Sequence, residues 1–302
     1  MPGKFILSLD CEGKWGVADV LDKRHRRDLC TERLSWAYRA ILKVLEEYRL
    51  PATFAFVGAF TQSPRDFASI RPRIEALGGA AQAYLAPALR DIDDSGGAGW
   101  HGPDLLSNVL DSRVGHEIAL HGVTHVPWTS LDETGAAAEM ALFRDLQGPI
   151  RESRTFVYPR NLVAHVDVLA RHGFAGYRTA RSGRWRFRSL MSEFNLFAKP
   201  QDPLPSREIV NIPAGFFLNW RSGLRRLVPP AVTTLRARRL LRAAANTGGI
   251  VHYWLHPENV ASAPSTLQLL AALAGEVARA RDAGDCEVMT QLGYCRWAES
   301  LR

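Results

Sequence analysis

The chain has 302 residues, 46% hydrophobic and 23% charged, with a net charge of +7 and a pI near 9.5. That length buries one large core or two modest ones, and the composition excludes a disordered chain. No apolar run reaches the roughly 18 residues of a membrane helix, and the N-terminus MPGKFILSLDCEG turns acidic too soon for a secretory signal. Cys11, Cys30, Cys286 and Cys295 form no C-x-x-C pair, which argues against a zinc ribbon or redox motif and for reduced thiols in a cytoplasmic protein. The positive charge invites nucleic acid, an anionic membrane or an acidic substrate. It concentrates between Arg178 and Arg242.

KFILSL (4–9) reads as a buried strand, SWAYRAILKVLEEY as a helix opened by Thr31 and Glu32, and ATFAFVG after Pro51 as a second buried strand. This βαβ unit favours a parallel sheet. Residues 61–112 are less regular, with a Gly-rich stretch and one helix, LLSNVLDSR. HEIALHG (116–122) is the next strand, followed by a helix capped by Asp132 and stopped near Gly148. RTFVYP is a strand, AHVDVLARHG a helix, and EIVNIPA a short strand beyond the basic, irregular stretch 178–208. PPAVTTLRARRLLRAAAN is a helix with proline in its first turn, GIVHYWLHP a strand, and STLQLLAALAGEVARARDAG and MTQLGYCRWAESL close the chain as helices. Six or seven alternations without repeats predict an α/β domain, either a barrel or a doubly wound sheet. No linker divides it, so one domain spans 1–302, with an insertion at about 61–112 and a basic segment at about 178–245.

Polar residues gather behind the strands. Asp10 and Glu12 follow the first, His121 and His125 the third, Pro159 and Arg160 the RTFVYP strand, and His256 the GIVHYWL strand. In a parallel barrel these strand ends share one rim, where active sites are built. HGVTH places two imidazoles four apart, within reach of one ion, and two imidazoles with a carboxylate form a common catalytic metal shell. Asp10 and Glu12 share a face of an extended chain with Cys11 turned away, so one can bind the ion while the other serves as base. HEIALH has one residue too many for the zincin H-E-x-x-H and lies in a strand pattern, which argues against a metalloprotease.

From SLDCEG to LHPEN the chain resembles the polysaccharide deacetylases of the NodB-homology type, carbohydrate esterase family four, in a branch whose first motif is Asp-x-Glu instead of adjacent acids. HGVTH and LHP are the close matches. The usual third motif places arginine two residues before proline; here that residue is Val157, and Arg160 follows Pro159 instead. The resemblance implies a distorted, TIM-like (β/α) barrel of seven strands and metal-dependent removal of an N-acetyl group from a carbohydrate. Glu12, His121 and His125 are the implied ligands of a divalent metal, zinc first among them, although the two acids could exchange roles. Asp10 is the implied base and His256 the acid. Arg160 would tether Asp10 or bind substrate, beside a backbone N–H donor near Pro159. Trp15, Trp100 and Trp185 are candidate sugar platforms, and His252 could face the site; His25, His165 and His172 read as ordinary.

The expected substrate is a cytoplasmic intermediate of surface polysaccharide or lipopolysaccharide synthesis, nucleotide- or lipid-linked. RSGLRRLVPPAVTTLRARRLLR, with seven Arg and no acid, could touch an anionic inner membrane face. Nucleic acid is not expected, since no single-strand platform or major-groove motif accompanies the charge. Two other classes stay open: a hydrolase of a small cyclic amide or imide, and a non-catalytic glycan-binding barrel.

Overall fold

The structure, a computed structural model, describes residues 2–180, 194–205 and 208–301. Its strands are β1 (Gly3–Cys11), β2 (Thr53–Phe56), β3 (Glu117–Leu120), β4 (Thr155–Val157), β5 (Gly176–Arg178), β6 (Val210–Ile212), β7 (Phe216–Phe217), β8 (Ile250–Leu255) and β9 (Cys286–Met289). They form one sheet in the order β6–β5–β4–β3–β2–β1–β8–β7, with β9 added to β1. The named strands pair in parallel throughout. The result is an open, distorted α/β barrel with helices outside. The short β7 and β9 stand beyond the seven strands expected. β8 takes one edge of β1 over Lys4–Leu9, while β9 and β2 follow one another along the other edge, at Gly3–Ile6 and Ser8–Cys11.

Each crossover between parallel neighbours needs a covering element, and sheet faces buried on both sides explain the continuous apolar runs. All nine residues of β1 are buried. Helix Thr31–Glu47 packs Leu34, Ala37, Tyr38, Ile41 and Leu45 inward at helical spacing. Asp132 caps helix Glu133–Asp145 by accepting from the Gly135 N–H. The basic helix Pro230–Thr247 lays Ala237, Leu240, Leu241 and Ala244 against the barrel, so its apolar face is already occupied.

Two segments differ from the sequence reading. Residues 61–112 hold three helices, Pro64–Glu75, Ala80–Ser95 and Pro103–Leu110. Pro72 and Pro87 lie inside the first two; proline normally ends a helix, which masks them in the sequence. At the C-terminus β9 precedes a helix at Gln291–Ser300, capped by Thr290. Trp185 and part of the basic segment lie outside the described residues.

Inside the barrel, directly under the rim, Ala55, Ala119 and Val157 form a small, fully buried cluster. These short side chains leave room for a long one to cross the interior.

Candidate functional site

Asp10 is the penultimate residue of β1, Glu12 follows the strand's end, His121 follows β3, and His256 follows β8 as the N-cap of helix Pro257–Ser262. The sheet therefore delivers all four to one rim. The chain turns at Gly122 (φ +71°), where a Cβ would come within 3.0 Å of the Pro159 ring, and His125 takes a left-handed backbone (φ 61°) to swing back over the same point. Such a conformation costs a non-glycine residue roughly 1–2 kcal/mol, a strain characteristic of functional positions.

Both imidazoles converge on Glu12. Its Oε1 lies 2.9 Å from His121 Nε2 and 3.1 Å from His125 Nε2. The far side of each ring fixes its tautomer. His121 Nδ1 is 2.8 Å from the Val157 carbonyl oxygen, which can only accept, so Nδ1 carries the hydrogen. Tyr84 donates its hydroxyl to the Trp15 carbonyl, so His125 Nδ1 must donate to the Tyr84 oxygen. Burial lowers the His125 pKa and keeps that ring neutral, against the opposing pull of Glu12. Two bare Nε2 lone pairs and a carboxylate oxygen then meet with no proton to share, an arrangement that calls for a cation. Outer partners of this kind are what orient metal-ligating histidines. The donor set fits a divalent metal. Burial alone would raise the Glu12 carboxyl, but the imidazoles beside it, those of His125 and then His256, hold it well below the usual range. Gly16 makes the approach possible, because a Cβ there would lie 1.7 Å from Glu12 Oε2.

Asp10 has different neighbours. The Arg178 guanidinium, at the end of β5, crosses the interior and grips the Asp10 carboxylate with both ends, 2.7 Å to Oδ1 and 2.6 Å to Oδ2. It also donates to Ser8 Oγ and Asn161 Oδ1 and lies over the Trp254 ring. Burial raises the Asp10 pKa, yet the charge and hydrogen bonds of Arg178, together with His121 and His256, outweigh it and the carboxyl stays below its ordinary value. His252 faces inward, as its spacing allows, but serves the interior: Nε2 pairs with Ser8 and Nδ1 with the Pro213 carbonyl. His256 presents Nε2 to both acids, 3.4 Å from Glu12 Oε1 and 3.9 Å from Asp10 Oδ2. Burial lowers its pKa, but Glu12 and Asp10 push it up to about 10. Glu258 Oε1 accepts from the backbone N–H groups of Glu12 and Gly13, tying the helix behind His256 to the turn that carries Glu12. Beside these residues opens a cleft of about 420 Å³, walled by Asp22, Arg24, Arg160, Trp220, Glu258 and Asn259.

Several nominated residues stand elsewhere. Arg160 does not tether Asp10; it pairs with Asp19 and lies over the Tyr84 ring at the cleft wall. The tether is Arg178, whose β5 position pairs in register with Val157 of β4, the very place where the usual arginine is missing. Trp15 and Trp100 are fully buried, edge to face against each other at 5.2 Å, with Trp15 Nε1 donating to the Trp100 carbonyl and Trp100 Nε1 to Asp91. They brace the insertion against the barrel and offer no face to a sugar. Pro159 is likewise buried and supports Gly122 instead of lining the cleft. His116 of HEIALH begins β3, at the opposite end of the strand from His121, where its Nδ1 accepts from the Ala52 N–H.

Sequence reasoning missed Arg178, Tyr84, Glu258 and Trp220. Glu258 sits in plain view two residues after His256. Arg178 hid in a three-residue strand at the edge of the basic stretch, and Tyr84 in a helix that proline masked.

The polysaccharide deacetylase family model matches residues 32–159, a span that includes His121 and His125 but neither Asp10 and Glu12 nor His256. No curated protein matches the chain by sequence. Among solved structures, one from Mycobacterium smegmatis described as a polysaccharide deacetylase superposes with a TM-score of 0.61 at 17% identity, covering 100% of this chain and 92% of that one. The 4-alpha-glucanotransferase of Thermococcus litoralis gives 0.51 at 15% identity, over 98% of this chain and 40% of its own. At such identities the likeness is one of fold. The chain is thus similar to the polysaccharide deacetylases in two ways, through a family model that matches less than half of its length and through a shared barrel fold.

Proposed function

We propose that this protein is a metal-dependent hydrolase that removes an N-acetyl group from a carbohydrate, with zinc as its ion. The proposed substrate is a cytoplasmic intermediate of surface polysaccharide or lipopolysaccharide synthesis, carried on a nucleotide or a lipid. The observation that carries the reading is the meeting of His121 Nε2, His125 Nε2 and Glu12 Oε1 beside an arginine-held Asp10. Two histidines and one carboxylate with open positions suit catalytic zinc. The free state of all four cysteines among the described residues suits a reducing compartment.

Glu12, His121 and His125 would hold the ion, which supplies Lewis acidity to the acetyl carbonyl and to a water beside it. Asp10 takes the water's proton as the oxygen attacks. Its pair with Arg178 keeps it ionised and aimed, and the Arg178 bonds to Ser8 and Asn161 hold the guanidinium itself. His256 Nε2, half-open to the cleft, delivers a proton to the departing nitrogen as the C–N bond breaks, so the products are acetate and a free amine.

The test is stoichiometric metal in the purified protein together with acetate release from acetamido sugars, compared with ring opening of a cyclic imide. His121→Ala is expected to lose both the ion and the acetate release. Full acetate release by that variant, or by metal-free protein, overturns the proposal.

A further inference from the structure

The exposed apolar residues are unevenly placed. Leu224 and Leu227 are 68% and 69% exposed, among the highest values for large hydrophobic side chains in the described residues. Both sit in the 3₁₀ turn Gly223–Leu227. Side chains three apart eclipse one another in such a turn, so the two leucines form one apolar knob. The turn follows β7 at the rim that carries the site. Trp220, three residues before it, lines the cleft together with Glu12 and His256, and Ser222 accepts from Arg24 on the opposite wall. Val20 (58%) and Leu162 (42%) are exposed on neighbouring rim loops, which the Arg160–Asp19 ion pair joins.

The chain that carries this knob has charge of one sign. No acidic residue occurs between Glu208 and Glu258. Arg226 is exposed within the turn. Acids on the facing loop are paired: Asp28 with Arg24, Arg27 and Arg33, Asp19 with Arg160, and Asp22 with His25. The helix Pro230–Thr247 cannot itself lie on a membrane through its apolar face, which is packed on the barrel. The turn before it can.

We infer that the Gly223–Leu227 turn is a membrane-docking element that inserts Leu224 and Leu227 at the acyl boundary of an anionic bilayer, with Arg226 on the headgroups. An apolar tip flanked by arginine is the pattern of interfacial anchoring, where buried area and attraction to anionic lipid add. A soluble protein partner would need no exclusion of acids over so long a stretch. Because the turn borders the cleft, docking brings the cleft mouth to the lipid surface and favours a lipid-linked over a nucleotide-linked substrate. That substrate assignment rests on the deacetylase reading; the docking does not.

The test is co-sedimentation of the full chain with vesicles of equimolar phosphatidylcholine and phosphatidylglycerol, against pure phosphatidylcholine. Binding to the anionic vesicles alone, weakening with salt, is expected. Each leucine contributes about tenfold, so Leu224→Asp with Leu227→Asp is expected to lower binding by more than about tenfold with melting temperature and metal content unchanged. Should the double variant lose its melting transition, the single changes Leu224→Ser and Leu227→Ser carry the test. Absence of binding at low salt, equal binding by parent and variants, or a dimer abolished by the same changes without vesicle binding overturns the inference. Acetate release from a soluble acetamido sugar, measured separately, shows whether the catalytic reading stands or falls independently.

Discussion

Arg178→Met removes the cation facing Asp10 while keeping most of the side-chain volume. Asp10 and Arg178 are 1% and 0% exposed, so water cannot replace the guanidinium without opening the barrel interior. Removing one partner of a buried pair costs about 3–5 kcal/mol, and in a chain of this size each kcal/mol moves the melting temperature by about 2–3 °C. The melting temperature is therefore expected to fall by roughly 10 °C. In the parent, burial raises the Asp10 pKa, and Arg178 with His121 and His256 more than offsets it, so the folded value sits below the ordinary one. The pair thus contributes stability above the ordinary carboxylate pKa, and that stability is lost as pH falls through the folded value. In the variant burial is opposed only by His121 and His256, so the folded pKa rises from its parent value and the stabilisation at neutral pH is lost. The variant is most destabilised at neutral pH and approaches the parent near pH 4. The same protonation silences the base, so the acid limb of kcat/KM moves up by at least about one pH unit and the neutral rate falls more than about 100-fold. Arg178→Lys keeps the charge without the two-pronged grip and falls between. Thermal melts from pH 4 to 8 and a pH–rate profile read both effects. A variant that melts like the parent with an unmoved acid limb refutes the reasoning.

The paired register of Val157 and Arg178 leads to a swap: Val157→Arg combined with Arg178→Val is expected to restore at least about half of the lost melting temperature, read by the same melts. Gly16→Ala places a methyl on the Glu12 carboxylate, the movable end of its side chain; metal affinity measured by chelator competition drops at least about tenfold while stability changes by less than about 1 kcal/mol. Tyr84→Phe removes the acceptor of His125 Nδ1–H, and metal affinity falls about 10–100-fold. Burial, joined by the charge of Arg178 beside it, drives the His252 pKa down to about 3. Between the unfolded pKa near 6.5 and that value the unfolded chain binds more protons, so stability falls with falling pH by about 1.4 kcal/mol per pH unit. Urea midpoints at pH 6.5 and 5 should show a pH dependence smaller in His252→Asn than in the parent by about that slope, the rest belonging to other buried histidines such as His116.

The rim was legible because chemistry-bearing residues followed apolar runs long enough to read as strands. β1 and β8 announce themselves by six or more residues, so Asp10, Glu12 and His256 could be placed from the sequence. β5 has three residues, too few for any periodicity, so Arg178 merged with the irregular basic stretch that follows. Arg160 drew attention through its position after Pro159, yet a backbone at φ 57° turns it toward Asp19 and the cleft wall. No local pattern reports such a turn. Trp15 and Trp100 looked like sugar platforms because aromatic residues in Gly-rich loops usually face solvent; here helix Ala80–Ser95 covers them, and prolines within the insertion hid that cover.

The proposed division of labour between the two acids rests on their partners instead of their spacing. Asp10 and Glu12 lie two apart on one face, and nothing intrinsic to aspartate or glutamate separates their tasks. Asp10 points down into the barrel, where Ala55, Ala119 and Val157 are small and the Arg178 guanidinium meets it. A carboxylate so held is ionised and fixed, and its charge is already matched, which leaves a second cation little to gain there. Glu12, one residue beyond the strand, reaches over the rim to three imidazole nitrogens. Two of those rings have their hydrogens committed to Val157 and Tyr84, so the charge of Glu12 is met by lone pairs and is left to a metal ion. An arginine from β5 serves here as well as one from β4 would, because parallel strands in register present the same interior point from adjacent positions. What the site requires is a buried cation at that point, and the barrel can supply it from either strand.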